Sequence, residues 1–331
     1  MAQMRICIFG AGAVGGHLAA RLAAGGHEVS VVARGAHLEA MRARGVKLLH
    51  GDEVIAGRVR TADIGVQDAV FVTLKANALG GFAEAAPPLL GPATAVVFAQ
   101  NGIPWWYAED LPALDPGGKL RHSVPRQNVV GGVVYSANEV VEPGVIRNFV
   151  PGNNMLVIGD ADNRDPPVVR ELRRTLEASG MSSPPPPDIR QAVWAKLVQN
   201  LGSASLCLLT ETTTSGIAED PELKALSARM KSEAQAIAAA HGVDIARAPH
   251  RPGGGHVSGA VGHKPSLLQD YLKARPMEIE AQLVAPLAFA RAANVATPTL
   301  DIVLPLAAHK AMAKGLYRPF SHPRLSGQIA H

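Results

Sequence analysis

The chain opens on an apolar run at residues 4–9 (Met-Arg-Ile-Cys-Ile-Phe). It has strand length and no helical period, which predicts a buried β-strand. Small apolar residues at 13–25 predict a helix, residues 28–33 a second strand and residues 37–44 a second helix. Two further apolar runs, 69–73 and 95–99, are also of strand length. Strands alternating with helices imply βαβ units and a parallel sheet. From about residue 129 the texture changes. Segments 129–135, 144–149 and 154–158 read as β-rich, with turn signals at Glu142-Pro143-Gly144 and Pro151-Gly152. They are expected to extend the sheet in antiparallel fashion.

The sharpest boundary signal is Ser182-Ser183-Pro184-Pro185-Pro186-Pro187. Four prolines impose an extended conformation and cannot continue a helix. The rest of the chain is largely helical in pattern. Asp188 can cap a helix running through Trp194 and Lys196 to about Leu209, and residues 221–241, 276–293 and 300–314 give three more helices. Residues 249–262, rich in Gly, Pro and His, read as a loop, and 317–331 carry little pattern. The predicted architecture is an α/β Rossmann-type N-terminal domain over 1–187 and an all-α C-terminal domain over 188–331.

Between the first strand and the first helix stands Gly10-Ala11-Gly12-Ala13-Val14-Gly15, a G-x-G-x-x-G turn. Gly10 permits the tight turn, Gly12 lets a pyrophosphate approach the backbone, and Gly15 lets helix and strand pack closely. The helix N-terminus then offers free N–H groups and a positive dipole end to phosphates. Such a turn is weak evidence alone, but here it sits in the first βαβ unit, as the chemistry requires. The second strand ends Val31-Val32-Ala33-Arg34, with no acid to hold a ribose 2′-hydroxyl. Arg34 can pair with a 2′-phosphate through its planar fork, so NADPH is expected over NADH.

Composition bounds this picture without changing it. A length of 331 residues suggests about two domains at ~150 residues each. The net charge of +4 is too small to argue for nucleic acid or a membrane surface. Mean hydropathy is +0.10, yet charged residues or His interrupt every apolar run, so no membrane span is expected. No leader is expected ahead of the first strand, and Cys7 and Cys207 both sit in apolar surroundings. Buried free thiols and a cytoplasmic location are expected. No Cys/His cluster has metal-ligand spacing. His241, His250, His256 and His263 are irregularly spaced, and no metal is expected.

In doubly wound sheets ligands bind beyond the carboxyl ends of the strands. Lys75 follows one such strand, and Asn101 follows another ahead of Gly102. In the C-terminal half, Lys196 and Asn200 share a helical face at i, i+4. Taken singly, each of these is as readily a solvated surface residue or a turn. Lys264-Pro265-Ser266-Leu267-Leu268-Gln269-Asp270 reads as a polar loop before a helix bearing Glu278 and Glu280.

Together these segments resemble the ketopantoate reductase (2-dehydropantoate 2-reductase) family, in the right order along nearly the whole chain. The resemblance rests on the glycine turn, Arg34, Lys75, Gln100-Asn101-Gly102, Glu142-Pro143-Gly144 and Trp194-x-Lys196-Leu197-x-x-Asn200. It continues through the 264–270 segment and Met277-Glu278-Ile279-Glu280. It implies NADPH-dependent reduction of ketopantoate to pantoate, on the route to pantothenate and coenzyme A. Carried over, Lys196 is the general acid, and Asn200 and Ser266 hold the substrate. Asn101 touches substrate and cofactor, and Lys75 and Glu278 contact NADPH along with Arg34 and the glycine turn.

Two features depart from the pattern. Ala204 stands where the family commonly has a second substrate asparagine, with Ser203 and Ser205 as the nearest compensating groups. Trp105-Trp106 is either loop packing or an altered substrate wall. A relative reducing another 2-oxo or 3-oxo acid therefore stays open. So do a non-catalytic NADPH-sensing protein and opine-type or 6-phosphogluconate-type dehydrogenases. Hydride attack on a 2-oxo carbon puts negative charge on its oxygen, which a protonated lysine can both stabilise and protonate. At a pKa of ~10.4 lysine is a sluggish acid, so Lys75, burial or the cofactor is expected to lower that of Lys196. Oligomeric state is open. Ala- and Leu-rich helical faces could pack on a second copy in a homodimer or only on each other.

Overall fold

The computed structural model describes residues 3–109, 111–250, 262 and 264–320. Ten strands lie in the N-terminal half: β1 (Arg5–Phe9), β2 (Glu28–Val32), β3 (Val46–His50), β4 (Glu53–Gly57), β5 (Ala69–Val72), β6 (Ala95–Phe98), β7 (Val129–Tyr135), β8 (Asn138–Glu142), β9 (Val145–Asn148) and β10 (Met155–Asp160). They are interleaved with helices α1 (Ala13–Ala24), α2 (Gly35–Arg44), α3 (Leu79–Ala85), α4 (Lys119–Ser123) and α5 (Pro167–Ala178). The C-terminal half is helical: α6 (Ile189–Thr210), α7 (Thr214–Glu219), α8 (Pro221–Ala240), α9 (Ser266–Leu272), α10 (Ala285–Ala292) and α11 (Leu300–Ala313). A π-helical turn, Glu280–Val284, leads into α10.

The strands form two sheets, not one. The six-stranded sheet has the order β10-β7-β6-β5-β1-β2, parallel except for β10. Thus β7 continues the parallel run, and only β10 meets the antiparallel expectation. The segment at 144–149 instead joins a four-stranded sheet, β4-β3-β9-β8, with a hairpin at 46–57 that the hydrophobic pattern did not announce. The diversion has a packing cause. Ile146 on β9 is fully buried against α1, where Gly16 has no side chain, and a Cβ on Gly16 would stand 2.3 Å from Ile146 Cδ1. Gly57 of β4 lies as close to Ala23. Helix α1 is therefore covered by a sheet on each side, which is why it is built from Gly, Ala and Leu nearly all round.

Residues beyond Ser182 run beside β10, with Ser183 Oγ donating to the Leu156 carbonyl. The chain then turns into α6, whose first turn is capped by Asp188 accepting from Arg190 N at 2.8 Å. This helix is the spine of the C-terminal half. It packs on α8, α9 and α11 on one side and on β7 and β10 on the other. The 264–270 segment is not a loop: α9 starts at Ser266, one residue after Pro265 ends the extended lead-in. The predicted loop at 249–262 and tail at 317–331 fall largely outside the described residues, as do His256 and His263.

Both cysteines are buried and free, and burial pushes their thiols up to about 12 for Cys7 and about 11 for Cys207. Trp105 and Trp106 are core residues. Trp105 packs edge-on to Phe98 with ring centroids 5.1 Å apart, and Trp106 lies over Gly131. They pack the loop; neither forms an exposed wall. Among the described residues no helix is long and apolar enough to cross a membrane, and no three His, Cys, Asp or Glu are grouped to hold a metal ion. Because α6 leans on its Asp188 cap, Asp188→Ala should cost ~1 kcal/mol. That is readable as a drop of a few degrees in Tm, and an unchanged Tm would remove the cap from the helix's support.

Candidate active site

The register of the large sheet brings three strand ends level. Phe9 pairs with Val32 on one side and Val72 on the other, and Val72 pairs with Phe98. Gly10, Lys75 and Asn101, each a few residues beyond these ends, therefore emerge along one edge. The strand order reverses around β1, and that is where such sheets bind ligands.

The three glycines of the turn differ in what requires them. Gly10 takes φ +104°, and a Cβ there would stand 2.8 Å from Leu74 Cδ2. A Cβ on Gly15 would stand 2.1 Å from the Gly10 carbonyl oxygen and 2.5 Å from Thr73 Oγ1, and that hydroxyl donates to the same carbonyl. Gly12 is exposed, and a Cβ there would meet nothing within 4 Å. The protein's own packing requires the first and third. The second opens onto free space at the N-terminus of α1, where backbone N–H groups suit a diphosphate. Ala11 is buried beneath the turn, and Ala13 and Val14 start the helix. Arg34, exposed at the N-cap of α2, extends its guanidinium toward Gly81 of α3. Among the described residues it has no ion-pair partner.

The two halves of the molecule meet at this edge. The Lys75 ammonium pairs with Asp270 Oδ1 at 2.7 Å and donates to the Pro276 carbonyl at 3.0 Å. Next to it Ala76 N donates to Glu278 Oε1 at 2.9 Å. Glu278 stands just ahead of the helix rather than on it as the pattern implied, its carbonyl accepting from Gln282 N. Beyond it the π-turn reaches the β6 side: Ile103 N donates to the Ala281 carbonyl at 2.8 Å. Gly102, at φ +84°, has no room for a Cβ, which would stand 2.4 Å from that carbonyl oxygen. Diverting Ala281's carbonyl to the other domain accompanies the widened turn, a feature that recurs at functional sites.

Lys196 projects from α6 toward the end of β7. Its ammonium donates to the Val134 carbonyl and lies 5.5 Å from the Tyr135 ring centroid. Asn200 is half-buried one turn further along the same helix, and Ser266 is exposed at the start of α9, which packs on α6. Ser203 and Ser205 do not replace the missing asparagine, because both hydroxyls donate to carbonyls of their own helix, Gln199 and Leu201. Ala204 itself is buried in the core.

Burial pushes Glu278 up to about 7; the Ala76 hydrogen bond and Lys75 oppose this, Asp270 reinforces it and Lys196 opposes it. The structure thus brings Lys75, Glu278 and Lys196 into one electrostatic cluster, with Arg34 at the far end of the same edge. Burial also raises Asp270, against the pull of Lys75. Asp270 has no counterpart among the candidate site residues that the sequence suggests. Its signal is nonetheless present there: an acid one turn after Ser266, on the buried side of a helix otherwise lined by Leu267 and Leu268. Glu278 holds its proton more tightly folded than unfolded, so its contribution to stability declines as pH rises from about 4.5 to about 7. Tm should therefore fall more steeply across that window in the wild type than in Glu278→Gln, and equal slopes would place the carboxyl in water.

Comparison with known proteins agrees with this geometry. Residues 6–163 match the family model described as ketopantoate reductase PanE/ApbA, and residues 188–311 match its C-terminal counterpart. A 2-dehydropantoate 2-reductase from Mesorhizobium japonicum is 41% identical over 329 residues, covering 95% of this chain and all of the relative. A candidate ketopantoate reductase from Ralstonia solanacearum superposes with a TM-score of 0.84 at 34% identity, over 96% of this chain and all of that one. A D-mandelate dehydrogenase solved with NADH and anilino(oxo)acetate shares the fold, with a TM-score of 0.79 at 19% identity over 95% of this chain and all of that one. The chain belongs to the ketopantoate reductase family of oxidoreductases.

Proposed function

We propose that the protein reduces 2-dehydropantoate (ketopantoate) to pantoate with NADPH, in the biosynthesis of pantothenate and coenzyme A. The carrying observation is the charge cluster at the sheet edge. Lys75, Glu278 and Lys196 come from three distant stretches of chain and converge beside a glycine turn whose middle glycine faces open space. The relative from Mesorhizobium japonicum supports the substrate. In this reading Gly10, Ala11, Gly12, Ala13, Val14 and Gly15 cradle the dinucleotide's diphosphate and Arg34 takes the 2′-phosphate. Lys75, Asn101 and Glu278 hold the nicotinamide end. Asn101, Lys196, Asn200 and Ser266 bind the oxo acid, and the domain boundary falls between Pro187 and Asp188.

A bound NADPH would supply the hydride. The chain's own task is to meet the charge that appears on the carbonyl oxygen. The Lys196 ammonium is suited to it, as both a positive charge and a proton donor. The Val134 carbonyl and the Tyr135 ring hold it in place at the domain seam, so little reorganisation is needed at the moment of transfer. Asn200, one turn along, can fix the substrate's orientation against it.

A second reading, reduction of a different 2-oxo acid, is favoured by one observation. Ala204 is a core residue with no polar group to offer a substrate, and Ser203 and Ser205 are committed to their own helix. The fold also serves a D-mandelate dehydrogenase. Following NADPH absorbance with ketopantoate and a panel of 2-oxo and 3-oxo acids separates the two. Ketopantoate should be the best substrate, and Lys196→Ala should lose about 10²-fold or more in kcat. Oxidation with another acid but not ketopantoate would establish the second reading, and no oxidation with any acid would leave a sensor. Arg34→Ala should weaken NADPH binding by about 10-fold or more while leaving NADH within about twofold; equal weakening of both would remove the 2′-phosphate role.

A further inference from the structure

The Lys75–Asp270 pair does something the family resemblance does not assign. Lys75 follows β5 in the N-terminal domain and Asp270 sits in α9 of the C-terminal domain. An ammonium has three N–H donors in a fixed tetrahedral arrangement. That of Lys75 is held across the seam by an ion pair with Asp270 Oδ1 and by one hydrogen bond, donated to the Pro276 carbonyl. These two contacts set where the ammonium sits at the cofactor edge. The lysine side chain is 35% exposed and the aspartate only 10%, so the carboxylate is the rigid member of the pair and the lysine the one being aimed. Asp270 is also one helical turn beyond Ser266, and the neighbouring Lys273 pairs with Glu139 of β8. Helix α9 is thereby held to the N-terminal domain at two points.

We propose that Asp270 is a positioning residue: it orients the Lys75 ammonium for the dinucleotide and ties the substrate-side helix α9 to the cofactor-side strand β5. The proposal rests on the reading of Lys75 as a cofactor contact. It opposes a simpler electrostatic expectation. A carboxylate beside an anion's binding site repels the anion, so if charge alone mattered, removing Asp270 would tighten NADPH binding. Positioning predicts the reverse, because a freed Lys75 is long, half-solvated and regains its rotamers.

The test is a double-mutant cycle read by NADPH fluorescence on the full-length chain, with Tm recorded for each variant. Asp270→Ala should raise the NADPH Kd about 10-fold and lower kcat by less than that. Lys75→Ala should give a similar loss, and the double variant should be little worse than either single one. Asp270→Asn keeps the shape and one acceptor and should fall between wild type and Asp270→Ala; it also carries the test if the alanine variant does not fold. Unchanged or tighter binding in Asp270→Ala or Asp270→Asn would overturn the proposal, as would losses that add in the double variant. A wild-type chain that fails to bind NADPH would instead overturn the reading of the whole site.

Discussion

The site depends on one backbone contact between domains. Ile103 N donates to the Ala281 carbonyl, and Gly102 lies so close to that carbonyl that no side chain fits between them. The contact joins the loop after β6 to the π-turn ahead of α10. It fixes Asn101 on one side and Glu278 on the other within a single seam. A tight backbone approach is stiffer than a side-chain contact, since it has no rotamers to redistribute. The side-chain interactions nearby, Lys75 to Asp270 and Ala76 to Glu278, operate within the frame it sets.

The seam's charges depend on that frame. Two lysines, one aspartate and one buried glutamate converge where an anionic cofactor and an anionic substrate are proposed to bind. Glu278 is the group most affected, because burial outweighs the cations around it. A carboxyl poised near neutrality can donate or accept a hydrogen bond, according to what a ligand offers. Lys196 approaches from the other side, held by the Val134 carbonyl and the Tyr135 ring. Lys196 and Glu278 are thus held by separate elements, α6 and the segment before the π-turn.

What the sequence made legible was local. The glycine turn declares itself because Gly10 and Gly15, five residues apart, each meet a separate steric demand and Gly12 between them stands at the open helix N-terminus. The Asp188 cap and helix α6 are readable from a proline stop and an apolar period. Opaque from sequence were the features that depend on distant partners. The hairpin at 46–57 gave no alternation because β4 is largely exposed on both faces, with Val54 at 61%. The two-sheet division depends on Gly16 meeting Ile146 across more than a hundred residues. Asp270 stands in a segment with an evident pattern, but its role depends on Lys75, whose position only the fold supplies. The pattern puts Glu278 on the helix, and the fold sets it one residue ahead, its carbonyl accepting the first helical bond from Gln282 N.

The small sheet has a consequence for the cofactor helix. An ordinary Rossmann helix has one face on the sheet and one in water, and α1 has neither of its flanks free. Covering its outer flank buries His17, whose ring burial holds down to about 3, so it stays neutral between Arg21 and Asn138. Arg21 in turn reaches His50 of β3 and the Ser179 carbonyl at the end of α5, linking α1 to the small sheet and to that helix. These ties start at His17 and continue through Arg21, just past the glycine turn. The N-terminus, where the dipole and free N–H groups face outward, carries no acidic side chain in its first turn. The helix is therefore packed along its flanks while its N-terminal end carries no acid, which is what a site for an anion needs.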